Sequence, residues 1–225
     1  MRKHFFYLMV FFAMVGLGTA CAQEPHQDIS NSSSFKEMTG KKADPKNKKL
    51  ETATFATGCF WCTEAKFQQL DGVKSVTSGY TGGKVANPSY DDVCTGNTGH
   101  AEACNIVYDP SVISYDELLA AFFTAHDPTQ LNRQGNDVGT QYRSAIFYNN
   151  AEQKQKAEYY IAKLNQEKAY HSKIVTQVNA AAPFYKAENY HQNYYKLNPN
   201  QGYCKYVIQP ELEKFKKVFK DKIKK

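Results

Sequence analysis

The chain has 225 residues, with 28 Lys and Arg against 22 Asp and Glu, for a formal net charge of +6. The basic excess sits in two runs, Lys36 to Lys49 and Lys214 to Lys225, and the middle is close to neutral with no aromatic-basic groove. This distribution argues against a nucleic-acid binder.

The N-terminus reads as a secretory signal over residues 1–21. Arg2 and Lys3 precede an apolar run from Phe5 to Leu17, which ends at the small residues Gly18, Thr19 and Ala20. A permanent membrane span needs roughly 20 apolar residues, so this run is too short to be one. Leu17-Gly18-Thr19-Ala20-Cys21 resembles a lipoprotein box, with Cys21 as the lipid anchor. Gly18 departs from that pattern, where a large aliphatic residue is usual. Cleavage after Ala22 is the alternative, and both outcomes place the mature protein in the bacterial cell envelope. Residues 22–50 are polar, with Ile29, Phe35 and Met38 as the large apolar residues, and are expected to form a flexible linker. Residues 51–225 then make one domain with a single core.

Within that domain the pattern predicts a strand at Ala53 to Thr57, a break at Gly58 and a helix from Phe60 to Leu70. Strands follow at Val73 to Tyr80 and Ala101 to Tyr108, separated by a turn-rich loop. Ser114 and Glu117 form a capping box that starts a helix with Leu118, Leu119, Phe122 and Phe123 on its apolar face. Asp127 to Thr140 is a long polar loop of the kind that often carries function. A strand is expected over Arg143 to Tyr148, then a helix capped by Asn150, a strand over Ile174 to Val178, and a last helix with Pro210 in its first turn. Strands and helices alternate without strict βαβ regularity, which indicates an α+β (mixed α/β) class.

Six cysteines are present: Cys21, Cys59, Cys62, Cys94, Cys104 and Cys204. If Cys21 is lipidated, an odd number remains, so at least one thiol is free. Cys59 follows a strand and a glycine and opens a helix. The partial positive charge and free N–H groups there would lower its pKa and make it a nucleophile. Cys59-Phe60-Trp61-Cys62 is a C-x-x-C, but residue 63 is Thr, not the His of a haem attachment site. Cys94 and Cys104 are too far apart to complete a zinc site. A thiol-disulfide exchange site at Cys59 and Cys62 stays open.

Gly58-Cys59-Phe60-Trp61 closely resembles the methionine sulfoxide reductase A family. The resemblance continues in order through Gly79-Tyr80-Thr81-Gly82-Gly83, Asn87-Pro88-Ser89-Tyr90, Gly99-His100-Ala101-Glu102, Asn132 to Ser144, Glu188-Asn189-Tyr190-His191-Gln192 and Asn198 to Cys204. It implies a two-layer sandwich with a ferredoxin-like core, a mixed sheet and a long C-terminal extension. It also implies reduction of methionine-S-sulfoxide, free or in proteins. Cys59 then corresponds to the nucleophile and Glu102 to an acid whose burial keeps it protonated. Tyr90 and Tyr142 correspond to hydroxyl donors to the sulfoxide oxygen, and Asp137 to a residue holding the site together. Phe60 and Trp61 correspond to an apolar cup for the S-methyl group, with His191 at its edge. Cys204 corresponds to the resolving cysteine, with Cys62 as the competitor, and Cys94 and Cys104 are read as structural or incidental. The family implies no metal or organic cofactor and a thioredoxin-like dithiol protein as external reductant. Nothing points beyond a monomer. A non-catalytic envelope binding module that retains the pocket is the remaining alternative.

Overall fold

A computed structural model describes residues 27–47 and 49–225. The signal and the Cys21 anchor lie outside the described residues.

The centre is a six-stranded sheet in the order β7-β6-β1-β3-β2-β8. Its strands are β1 (Glu51–Thr57), β2 (Val73–Thr81), β3 (Ala101–Tyr108), β6 (Ser144–Tyr148), β7 (Gln177–Ala180) and β8 (Tyr185–Lys186). A separate two-stranded ribbon, β4 (Arg133–Gln134) with β5 (Asp137–Val138), stiffens the long polar loop. The helices are α1 (Ser33–Gly40), α2 (Phe60–Phe67), α3 (Tyr90–Cys94), α4 (Tyr115–Ala125), α5 (Ala151–Gln166), α6 (Tyr194–Leu197) and α7 (Gln209–Val218). Taken alone, β1, α2, β2, β3, α4 and β6 follow the βαββαβ path, with the four strands all antiparallel. That is the expected ferredoxin-like core. The parallel pairing of β6 with β7 makes the whole sheet mixed.

Strand alternation sorts the two faces. Phe55 of β1 and Ile106 of β3 enter one core with Phe67 of α2, Leu118 and Phe122 of α4, and Ala157 and Leu164 of α5. The opposite face is built from the small residues Ala56, Ala101, Ala103 and Ala145 with Phe147, and Phe184 packs on it. Glu102 falls between Ala101 and Ala103, so it points to the helix-covered face with Cys104 and Ile106. A carboxyl is thereby buried at the start of α2.

Local signals set the helix ends. Ser114 and Glu117 form the expected capping box, and the Asn150 side chain accepts from the Gln153 N–H. Ser89 and Asp92 make a second capping box at α3, which the hydrophobic pattern does not announce. The strand expected over Ile174 to Val178 begins later, at Gln177, because Val175 spends its N–H on the Pro128 carbonyl.

The C-terminal extension runs from one sheet edge to the other and then across α2. After β8 has paired with β2, residues 189–208 carry His191, Tyr194, Tyr203 and Cys204 to that helix. The basic tail is anchored too. Ile223 bridges to Leu70, and Lys222 pairs with Glu117 at 2.6 Å.

The linker expectation is corrected over residues 27–47. Met38 is fully buried, Ile29 and Phe35 are nearly so, and Phe35 meets the ring of Phe219 at 5.9 Å. Polar contacts reinforce the docking. Ser33 and Ser34 donate to Glu167, and Lys163 pairs with Glu37. Three apolar side chains suffice because Phe35 and Met38 of α1, with Ile29 just before it, all enter an existing core, so ordering a short helix is offset by their burial.

Candidate active site

The site grows from the β1–α2 junction. Gly58 has φ +91, and a Cβ there would lie 2.5 Å from Gln134 Cβ, so only glycine makes this turn. Cys59 follows as the N-cap of α2, its carbonyl accepting from the Cys62 and Thr63 N–H groups. The Thr57 and Thr63 hydroxyls meet at 2.6 Å and tie the strand end to the first helical turn.

Across the junction the Phe60 N–H donates to the Glu102 carboxyl at 3.0 Å. Burial pushes the Glu102 carboxyl up to about 8, although the Phe60 bond pulls the other way. It is therefore mostly protonated at neutral pH, as expected for a proton donor. The thiol behaves differently from expectation. Burial pushes Cys59 well above its ordinary value, and the Cys62 sulfur and the Glu102 and Asp137 carboxyls push the same way. Burial and these neighbours favour a thiol, not a thiolate, as the resting group. The junction thus holds a neutral thiol beside a neutral acid.

The other expected residues converge on this junction to different degrees. Tyr142 sits on the turn Thr140–Tyr142, where burial first, then the charges of Glu102, Asp137 and Cys59, hold its hydroxyl protonated. Tyr90 opens α3 and is held protonated chiefly by burial, with Cys94 and Glu102 adding to it. The Tyr90 N–H donates to Glu188 at 2.8 Å, and Tyr80 donates to the same carboxylate at 2.9 Å. Asp137 on β5 accepts from the Tyr203 hydroxyl at 2.6 Å. Phe60 is buried, with its ring 5.0 Å from His191. The Trp61 indole N–H donates to His191 Nδ1 at 3.1 Å. Burial lowers the His191 pKa, so the ring is neutral, and its Nε2 lies 3.9 Å from Glu188. His191 therefore orients Trp61.

Several participants escape the sequence reading. Tyr194 stacks on Trp61 with ring centroids 3.7 Å apart, covering one face of the indole. Tyr203 bridges Asp137 to Cys62, whose sulfur lies 3.8 Å from its hydroxyl. Its position directly before Cys204 was the available signal. Glu64, buried and pushed up to about 6, accepts from the Asn193 and Tyr194 N–H groups and so seats the stacking tyrosine.

Cys204 is fully buried and joins Cys59, Cys62, Ala65 and Ile208 in one apolar cluster. All five described cysteines are free thiols. Cys104 lies deep between Ser78 and the Phe60 carbonyl, and Cys94 is exposed. A cavity of about 230 Å³ reaches Cys59 and Cys62 from the side of Asp137 and Tyr203; Glu102, Tyr90 and Tyr142 do not line it. Among the described residues, no group of three His, Cys, Asp or Glu side chains is placed to hold a metal ion.

The profile of one family, peptide methionine sulfoxide reductase, matches residues 51–223. The peptide methionine sulfoxide reductase MsrA of Deinococcus radiodurans is 52% identical over 86% of this chain and 94% of its own length. That of Nautilia profundicola is 54% identical over 75% and 96%. Among solved structures, the reduced form of Mxr1 from Saccharomyces cerevisiae superposes with a TM-score of 0.65 at 36% identity, covering 72% of this chain and 92% of that one. Methionine sulfoxide reductase A of Corynebacterium diphtheriae gives 0.61 at 38% identity, covering 70% and 79%. With a thiol and a raised carboxyl joined at the start of α2, and relatives of this identity over most of both chains, this chain belongs to the peptide methionine sulfoxide reductase A family of oxidoreductases.

Proposed function

We propose that the chain reduces the S epimer of methionine sulfoxide, free or within proteins, through Cys59. The observation that carries this reading is the Cys59–Glu102 junction, a nucleophile and a neutral acid linked through the Phe60 N–H. Glu102 donates its proton to the sulfoxide oxygen while the Cys59 sulfur attacks the substrate sulfur. The protonated oxygen then passes to the Cys59 sulfur: a Cys59 sulfur–oxygen bond forms, the substrate's sulfur–oxygen bond and its bond to Cys59 sulfur break, and methionine leaves with a sulfenic acid on Cys59. Glu102 regains the proton that Cys59 loses, so the step needs no net proton uptake. Tyr90 and Tyr142 donate to the oxygen as charge develops on it. Phe60 and Trp61 receive the S-methyl group, with His191 and Tyr194 orienting the indole. Asp137, accepting from the Tyr203 hydroxyl, helps hold the site together.

Cys204 then condenses with the sulfenic acid, forming a disulfide and releasing water. Its burial beside Cys59 and Cys62 supports this role. Contact between the Cys59 and Cys62 side chains supports Cys62 as the alternative resolver. A thioredoxin-like dithiol protein reduces the disulfide by exchange, and the cycle uses no metal or organic cofactor. The N-terminal sequence supports an envelope location, with a lipid anchor on Cys21 or plain signal cleavage, and with it repair of oxidised envelope proteins.

The test is incubation of purified protein with dithiothreitol and separated sulfoxide epimers. Loss of the S epimer alone is expected. Insulin reduction without sulfoxide turnover would instead point to a thiol-disulfide exchange protein, and inactivity in both assays to a binding module. Intact mass of the membrane-extracted protein reads the lipid at Cys21.

A further inference from the structure

Helix α2 carries a buried charge that this cycle does not use. Lys66 is 3% exposed, and its Nζ donates to the Ala125 carbonyl at 2.6 Å and to Glu211 at 2.8 Å. Cys62 and Lys66 stand four residues apart on one helix and share a face. Both line the 230 Å³ cavity together with Cys59, Asp137, Tyr203 and Glu211. Among the described lining residues Lys66 is the one cation. Burial works against its charge, but Glu211 and the sulfurs of Cys62 and Cys59 outweigh it, so the ammonium persists above its ordinary range. A lysine this deep is rare unless paired. A purely structural ion pair does not require two thiols in the same cavity wall.

We propose that Lys66 is a positioning residue of the thiol cycle, its ammonium serving as countercharge for the sulfur anion that forms on the Cys59–Cys62 pair. This rests on the reading of Cys59 as the redox-active thiol. Negative charge reaches sulfur here twice. Where Cys62 resolves, its thiol loses its proton as it condenses with the Cys59 sulfenic acid, its electron pair forms the S–S bond, and the oxygen leaves and takes the proton as water; where Cys204 resolves, the anion on the pair is the Cys59 sulfur released in the exchange that follows. When the external dithiol attacks the disulfide, the S–S bond breaks and one sulfur departs as an anion before it is protonated. The groups facing the pair from other elements are Glu102 on β3, Asp137 on β5, Tyr142 on the Thr140–Tyr142 turn, Tyr203 and Cys204 in the extension, and Glu211 on α7. None is a cation. Glu211 holds Lys66 in place and also cancels part of its field.

The test is alkylation of the full-length reduced protein with iodoacetamide from roughly pH 5 to 10, mapped to Cys59 and Cys62 by peptide mass. Lys66→Met with Glu211→Gln removes both halves of the pair and leaves no buried charge unpaired. That double variant should slow alkylation near neutral pH by roughly tenfold and move the profile to higher pH. Glu211→Gln alone should move it the other way, and Lys66→Arg should follow the parent. A folded double variant whose profile overlays the parent overturns the proposal. If the double variant does not fold, Glu211→Gln alone decides, and an unmoved profile overturns it. Alkylation needs no sulfoxide. An unmoved profile with normal S-sulfoxide turnover therefore sinks the role of Lys66 alone, and absent turnover in the parent sinks the functional reading.

Discussion

The Phe60 N–H donates to the buried Glu102 carboxyl at 3.0 Å, fastening the first turn of α2 to the second residue of β3. The residue next to the thiol is thus tied to the carboxyl, and this bond fixes how Cys59 and Glu102 sit relative to each other. Removing the proton without removing this bond is the informative change. Glu102→Gln keeps an oxygen to accept from Phe60. It is expected to lower kcat by at least about 100-fold with little change in KM, measured by steady-state sulfoxide reduction.

Turnover should also fall as pH rises through about 8, where Glu102 ionises. The stability consequence has the same direction. The folded-state value lies above the ordinary 4.5, so the unfolded chain releases this proton first. The stability associated with the neutral carboxyl is complete below about 4.5 and is lost progressively up to about 8. Denaturant melts at several pH values read this slope, and Glu102→Gln should flatten it. An unchanged slope in that variant would show that other groups produce it.

The three clustered thiols separate by role. Cys59→Ser should abolish turnover. Cys204→Ser should support one turnover per molecule and then stall with a thioredoxin-like donor. If Cys204→Ser recycles normally while Cys62→Ser stalls, the resolver is Cys62. Single-turnover methionine release, followed by thiol counting, distinguishes the cases.

Gly58→Ala places a Cβ 2.5 Å from Gln134 Cβ at a positive φ. A loss of roughly 1–3 kcal/mol is expected, together with reduced kcat because Cys59 is displaced. Chemical denaturation alongside kinetics checks both. A variant with parental stability and rate would mean that this turn is more pliant than its geometry indicates.

Met38→Ala separates a docked α1 from a flexible tether. Met38 is fully buried against the core. Its truncation should lower stability by roughly 2–5 kcal/mol, whereas an undocked segment would show no change in the denaturation midpoint.

Much of this protein follows from short-range chemistry and is legible in the chain. Ser114 with Glu117, Asn150 with Gln153, and the strand–Gly58–Cys59–helix junction each depend on groups a few residues apart, where turn and capping rules hold locally. Alternation along β3 likewise puts Glu102 on the face of Cys104 and Ile106. The tertiary structure decided the rest because it turns on desolvation and distant partners. Lys66 meets Glu211 only because α7 crosses α2. Tyr194 covers Trp61 only because the extension passes over that helix. The protonation of Cys59 reflects burial beside Cys62, Glu102 and Asp137, partners that lie outside the local strand–glycine–helix pattern. The fate of residues 27–47 was hidden for the same reason, since three apolar side chains order a segment only when a complementary core face lies within reach.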